Sequence, residues 1–351
     1  MRLAGAAVVL MLLLLAGCAP ADTATPPGSP AAAASPADAS PSLAPGEFLN
    51  PVLDRDFPDP GVLAADGTFY AYATEGGGRH IQVASSTDLV TWEYLGEALP
   101  TLPRWTTGST WAPEVVQTPA GFVMYYTARH PATVRPDGQG SQCITLAVAT
   151  EPQGPFVDDS EGPFICQADL GGSIDAFPYR APDGALYLVW KNDGNCCSRI
   201  TRMWAQPLSV DGLELIGEPV DLGIANDNAW ERHVIEAPTI LLRDGTYYLF
   251  FSANDYASDQ YAVGYATATA LLGPYADADE NPILATPGDP ANRAFGPGGQ
   301  AIVTGIDGGD WMLYHAWDGL FRERSMWLDR VTWQEGRPLV EGPTSVPQAV
   351  P

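Results

Sequence analysis

Lysine is almost missing from this chain: Lys191 is the only one in 351 residues, and 17 Lys plus Arg stand against 42 Asp plus Glu, a formal charge of −25. A protein so poor in cations cannot neutralise a track of phosphates, which excludes nucleic acid as a partner. The same shortage excludes peripheral docking on anionic lipid. A neutral ligand stays compatible with the charge. Helical periodicity is also absent from Asn50 onward, so the 46% of hydrophobic residues must be buried by strands. Cysteine is scarce, with five in all, and no CxxC spacing suggests zinc.

Long apolar runs are confined to the first residues. Arg2, the run from Ala6 to Leu15 and the small residues after it read as a signal sequence. The run is shorter than the ~20 residues that span a bilayer. Its end, Leu15-Ala16-Gly17-Cys18, resembles the lipobox of bacterial lipoproteins, which implies cleavage before Cys18 and a lipid on it. Residues 19–46 are almost entirely Ala, Pro, Ser, Thr and Gly, too poor in apolar surface to pack, and read as a disordered linker. The expected organisation is therefore a lipoprotein-type signal over 1–18, a linker over 19–46 and one domain over 47–351. The place of action is the outer side of a bacterial membrane, lipid-anchored, or the medium if secreted. Four cysteines remain in the domain, and an even number outside the cytoplasm favours disulfides. Cys143 with Cys166 is the expected pair, and the adjacent Cys196-Cys197 leaves a vicinal bridge open.

What is plentiful is one hairpin, repeated. Asp66-Gly67, Ala120-Gly121, Asp183-Gly184, Asp244-Gly245 and Gly308-Gly309 each precede a strand of aromatic alternation, at intervals of about 60 residues. Asp-Gly supplies the positive φ angles of a tight turn. A second repeat, Gly154-Pro155-Phe156 and Gly273-Pro274-Tyr275, lies between copies. A long fixed period with room for four strands per unit is the mark of a β-propeller, and five copies predict five blades in an all-β, single-domain fold.

Three acids stand ahead of these hairpins: Asp59 in Asp56-Phe57-Pro58-Asp59-Pro60, Asp175 in Ser173-Ile174-Asp175, and Glu236 in Glu236-Ala237-Pro238. Innermost strands of a propeller ring a central channel, so the symmetry of the fold predicts that the three converge on one pocket.

With Asn50-Pro51-Val52-Leu53, Asp59-Pro60, Trp111-Ala112-Pro113-Glu114, Ser173-Ile174-Asp175, Glu236-Ala237-Pro238, Gly296-Pro297-Gly298 and Tyr314-His315 in this order, the chain resembles glycoside hydrolase family 43 from Asn50 to Pro351. These are five-bladed propellers that act on arabinose and xylose polymers. The resemblance implies that Asp59 is the general base, Glu236 the general acid, and Asp175 the carboxylate that orients the acid and tunes its pKa. It implies inversion at the anomeric centre, with the working carboxyls ~6.5–9.5 Å apart to admit water. Trp111 and Phe177 are candidates for stacking on the sugar, and Arg324 for the arginine beside the catalytic carboxylates, with Arg322 close enough to blur that choice. Many members carry a His after Gly-Pro-Gly, often near a calcium ion. Here Gly299 follows, which puts a structural calcium in doubt; no cofactor is required and no metal ligand set is read.

The leading expectation is an exo-acting α-L-arabinofuranosidase working on plant cell-wall oligosaccharides or polysaccharides (arabinan, arabinoxylan) as a monomer. β-Xylosidase and endo-arabinanase of the same family remain open. Outside that class stand a non-catalytic sugar-binding propeller and a retaining fructan hydrolase.

Overall fold

The computed structural model describes residues 43–289 and 292–351. The signal sequence, Cys18 and nearly all of the linker lie outside the described residues.

Five antiparallel sheets follow one another along the chain, each beginning with a hairpin anticipated above. Blade 1 is Gly61–Ala65, Thr68–Ala73, Gln82–Ser86 and Glu93–Glu97. Blade 2 has three named strands, Trp111–Thr118, Gly121–Val134 and Gly140–Ala149. Blade 3 is Ser173–Arg180, Leu186–Asn192, Arg202–Pro207 and Val220–Ala225. Blade 4 is Ile235–Arg243, Thr246–Ala253, Ala262–Ala268 and Ala276–Asp277, and blade 5 is Phe295–Thr304, Asp310–Trp317, Arg324–Gln334 and Arg337–Val340. No α-helix occurs among the described residues, only two short 3₁₀ turns. The arrangement is a five-bladed β-propeller.

Turn chemistry explains the hairpins. Asp66 and Gly67 have φ of 49° and 76°, and Asp244 and Gly245 have 49° and 81°, two successive left-handed residues as a type I′ turn requires. The Gly-Pro-aromatic repeat has a different task. Phe156 N–H donates to Ala98 O of blade 1 and Tyr275 N–H to Leu222 O of blade 3, so each copy stitches a blade to its predecessor. A Cβ on Gly154 would lie 2.7 Å from Ala98 O, and one on Gly273 2.6 Å from Leu222 O, which is why glycine leads both copies.

Aromatic alternation puts one face of each sheet into a seam with its neighbour. Five apolar clusters result, one per seam: Tyr72 with Tyr126 and Phe156, Tyr125 with Trp190, Val189 with Phe251, Phe250 with Tyr314, and Trp311 with Ala71. Both cysteine pairs are disulfides. Cys143–Cys166 ties the third strand of blade 2 to the bridge-forming segment that stands in for a fourth strand there.

The ring is closed by the ends of the domain. Glu47–Phe48 pairs antiparallel with Gln348–Ala349. Asn50 then docks on blade 5: its Nδ2 donates to Leu328 O (2.9 Å) and Thr344 O (3.2 Å), and Leu328 N–H donates to its Oδ1 at 2.8 Å. Asn50→Ala leaves Leu328 N–H and Thr344 O without this partner, while Leu328 O keeps Gln348 Nε2 at 3.3 Å, and should cost about 1–3 kcal/mol, the desolvation forfeited by an orphaned buried group. Denaturant unfolding would measure this, and an unchanged midpoint would show that water replaces the side chain.

Candidate active site

Every innermost strand starts at the same end of the channel, and each carries a left-handed residue near its start. The φ values are 54° at Asp59, 43° at Ala112, 57° at Asp175, 53° at Ala237 and 58° at Gly299. Register shifts in the hairpins of blades 2 to 5 mark the same places as bulges. The kinks turn the strand starts across the channel mouth. Asp59, Asp175 and Glu236, from blades 1, 3 and 4, thereby line one cavity of about 360 Å³. Its wall also includes Trp111, Arg135, Cys196, Tyr256, Tyr261 and Arg324.

The three acids have different surroundings. Asp59 accepts from Thr74 Oγ1 at 2.6 Å and faces Arg324 Nη1 at 3.5 Å. His315 Nδ1 lies 3.2 Å from its Oδ1 and 3.1 Å from its backbone N–H. Burial alone would raise the Asp59 pKa, but the Arg324 guanidinium and the Thr74 hydroxyl beside it hold it well below the usual carboxylate range. Asp59 is ionised. Asp175 goes the other way: burial first, then the negative charge of Glu236, push it up to about 7. Glu236 is held between two donors, Tyr261 Oη at 2.8 Å and Lys191 Nζ at 3.1 Å. Lys191 is completely buried and also donates to Asn195 Oδ1 at 2.8 Å.

Arg324 lies beside Asp59, flanked by the rings of Tyr256 and Trp317, with its guanidinium carbon 5.1 and 5.3 Å from their centroids. Arg322 instead pairs with Asp318 on the surface. Trp111 lines the cavity. Phe177 does not: it packs against the cluster in the seam of blades 3 and 4, and its anticipated contact with a ligand is withdrawn on that ground. The bulge between Ile174 and Phe177 changes the parity of the strand, so two residues after Asp175 no longer means the same face.

Gly299 has no room for any side chain. A Cβ there would stand 2.7 Å from His315 Nδ1 and 2.8 Å from Asp59 Oδ1. Among the described residues one group has its ligand atoms near enough for a metal, Asp137 with Cys196 and Cys197, and those two sulfurs are bonded to each other.

Residues not singled out for the site in the sequence complete it. Thr74, Tyr261 and Lys191 touch the acids directly, while Arg135 reaches the rim from the hairpin of blade 2 and pairs with Asp193 Oδ2 at 3.5 Å. The vicinal Cys196–Cys197 bridge sits beside that pair, with Cys196 on the cavity wall.

The profile of a family described as glycosyl hydrolases family 43 matches residues 48–338. An extracellular endo-α-(1→5)-L-arabinanase of Bacillus subtilis is 29% identical over 64% of this chain, but the match spans only 51% of that relative. A probable arabinan endo-1,5-α-L-arabinosidase C of Aspergillus niger is 28% identical, over 80% of this chain and 91% of its own length. Among solved structures, a thermostable family-43 glycoside hydrolase superposes with a TM-score of 0.77 at 33% identity, covering 87% of this chain and 99% of its own.

Proposed function

The chain belongs to glycosyl hydrolase family 43, and from that premise we propose that it is an inverting hydrolase releasing α-L-arabinofuranosyl residues from arabinan or arabinoxylan fragments. The observation that carries the chemistry is the contrast between Asp59, ionised beside Arg324, and Asp175, protonated up to about pH 7 next to Glu236. One end of the cavity can take a proton and the other can hold one, the division that acid–base hydrolysis of a glycoside needs.

In this reading Asp59 removes a proton from water while the water oxygen bonds to the anomeric carbon. The bond to the leaving oxygen breaks as Glu236 delivers a proton to it. Asp175, whose own proton is linked to the charge of Glu236, tunes that donor. Arg324 keeps the base ionised and Trp111 offers a face for the sugar.

The relatives quoted above bear arabinanase names, which support arabinan as the substrate. The Arg135–Asp193 pair on the cavity wall between blades 2 and 3 is, in this reading, what limits the site to a chain end. Endo-arabinanase is the second reading, carried by the names of those relatives. The substrate would lie outside the cell, reached by a propeller domain beginning near Glu47 on a linker and lipid-anchored through Cys18, or secreted.

The test is a panel of nitrophenyl pentosides and linear arabino-oligosaccharides with analysis of products. Arabinose as the sole early product, released with inverted configuration, is the expected result. Early mixed oligomers would replace the exo reading by the endo one. Xylose release alone would move the enzyme to xylosides, and no turnover of any of these would sink the hydrolase assignment.

A further inference from the structure

The five kinks share a latch. In each blade the backbone N–H of the left-handed residue donates to a side chain of the preceding blade. Asp59 N–H goes to His315 Nδ1 (3.1 Å), Ala112 N–H to Thr74 Oγ1 (2.9 Å), Asp175 N–H to Thr127 Oγ1 (3.3 Å), and Gly299 N–H to Ser252 Oγ (2.9 Å). The acceptors occupy equivalent places. Each lies in or just after the second strand of its blade, opposite the residue before the kink: Thr127 pairs with Trp111, Ser252 with Glu236, His315 with Gly298, and Thr74 N–H bonds to Pro58 O.

In blade 3 that place, opposite Ile174, belongs to Lys191. A lysine ammonium has three donors and no acceptor, so it cannot take the next blade's N–H. Ala237 N–H turns instead to Asp175 Oδ2, at 3.0 Å. The ammonium that displaced the latch points at Glu236 and Asn195. Its burial opposes the charge, and Glu236, Asp193 and Asp175 outweigh that penalty, so it stays charged.

We propose that Lys191 is a positioning residue for the carboxylate pair: it fixes the side chain of Glu236 from the position of a structural latch, and makes Asp175 serve as the latch in its place. The inference rests on the reading of Glu236 and Asp175 as working acids. The fold needs an acceptor at this position and the sequence supplies a donor, so the departure serves the site. Glu236 is then fixed on both oxygens, by Tyr261 on Oε1 and Lys191 on Oε2, while Asp175 is fixed by Ala237 N–H within reach of its charge.

The charge of Lys191 also opposes the rise in the Asp175 pKa. Other charged or titratable groups around the pair are Glu236 and Tyr261 of blade 4, Asp59 and Arg324 across the mouth, Asp193 beyond the end of its own strand, and Glu114 and Arg135 of blade 2. Removing the lysine deletes a stabiliser of the Asp175 anion, so that carboxyl should release its proton at higher pH than now.

The test compares the full chain with Lys191→Met, which keeps most of the side chain's length without its charge, and Lys191→Thr, which places there the residue used in blades 1 and 2. Carbon-13 carboxyl titration followed by NMR should show the Asp175 midpoint moved upward from about 7 in both variants. On an arabino-oligosaccharide, kcat should fall by about tenfold or more with KM changed far less, because proton delivery and not binding is disturbed. Lys191→Thr should melt higher than Lys191→Met, since it offers Ala237 N–H a latch acceptor. An unmoved Asp175 midpoint with unchanged kcat would overturn the proposal, and so would a loss of activity that only parallels a loss of melting temperature. If the parent hydrolyses no pentoside, the function above falls by itself. The NMR titration then decides on Lys191 alone: a shifted midpoint supports its hold on the pair, and a fixed one overturns it.

Discussion

Asp59→Ala is expected to abolish turnover of both an arabino-oligosaccharide and an aryl arabinofuranoside, by roughly 10²–10⁴-fold, the range for losing a general base. Water has to be activated whatever group departs, so the loss should not depend on the leaving group. Added azide offers a separate readout. It is a small anion that needs no base, and the space vacated beside Arg324 suits its charge, so it should restore part of the rate on the aryl substrate as a glycosyl azide of inverted configuration. The variant also removes the partner of a half-enclosed guanidinium, so its melting temperature has to be read alongside. A folded Asp59→Ala that keeps its activity would show that the base lies elsewhere.

Glu236→Ala should behave differently on the two substrates. A sugar alkoxide is a poor leaving group and needs its proton, while an activated phenolate leaves without one. Oligosaccharide turnover should fall by roughly 10²–10⁴-fold, and aryl turnover should fall much less. The experiment is a ratio of two kcat/KM values on one preparation, which cancels errors in active concentration. Equal losses on both substrates would remove Glu236 as proton donor and make Asp175 the next candidate, which is not an idle alternative. Asp175 holds a proton up to about pH 7, whereas Glu236 is engaged by a lysine.

The hairpins and the three acids could be found in the sequence because their signals are local. Asp-Gly dictates its own backbone angles, and an acid ahead of a repeated hairpin inherits its direction from the blade. The misplacement of Phe177 has an equally local cause, a bulge, but one with no mark in the residues Ser173-Ile174-Asp175-Ala176. Register is a property of the strand pair, so counting along one strand could not reveal it. Thr74 and Tyr261 stayed hidden because each meets its acid from the end of another strand of the same blade, 15 and 25 positions away, and Arg135 because it reaches the site from a distant hairpin tip. Lys191 is a different case. A lone lysine in an apolar strand was visible in the sequence, but its meaning emerges only when five second strands are laid in register and four of them show an acceptor there.

The clasp at the ends of the ring bears on how the protein comes to be folded. Asn50 binds Leu328, 278 positions away, and Thr344, 294 positions away. The seam between blades 5 and 1 cannot form until those residues exist. Blades can assemble in turn as the chain emerges into the compartment where it folds, since each hairpin is closed within a short stretch of chain. Closure must wait for the last blade, and until then the aromatic faces of the two terminal blades have no partner. The emerging chain should therefore stay susceptible to protease and to aggregation until almost all of it has arrived. Protection should come in one late step, with the arrival of residue 344.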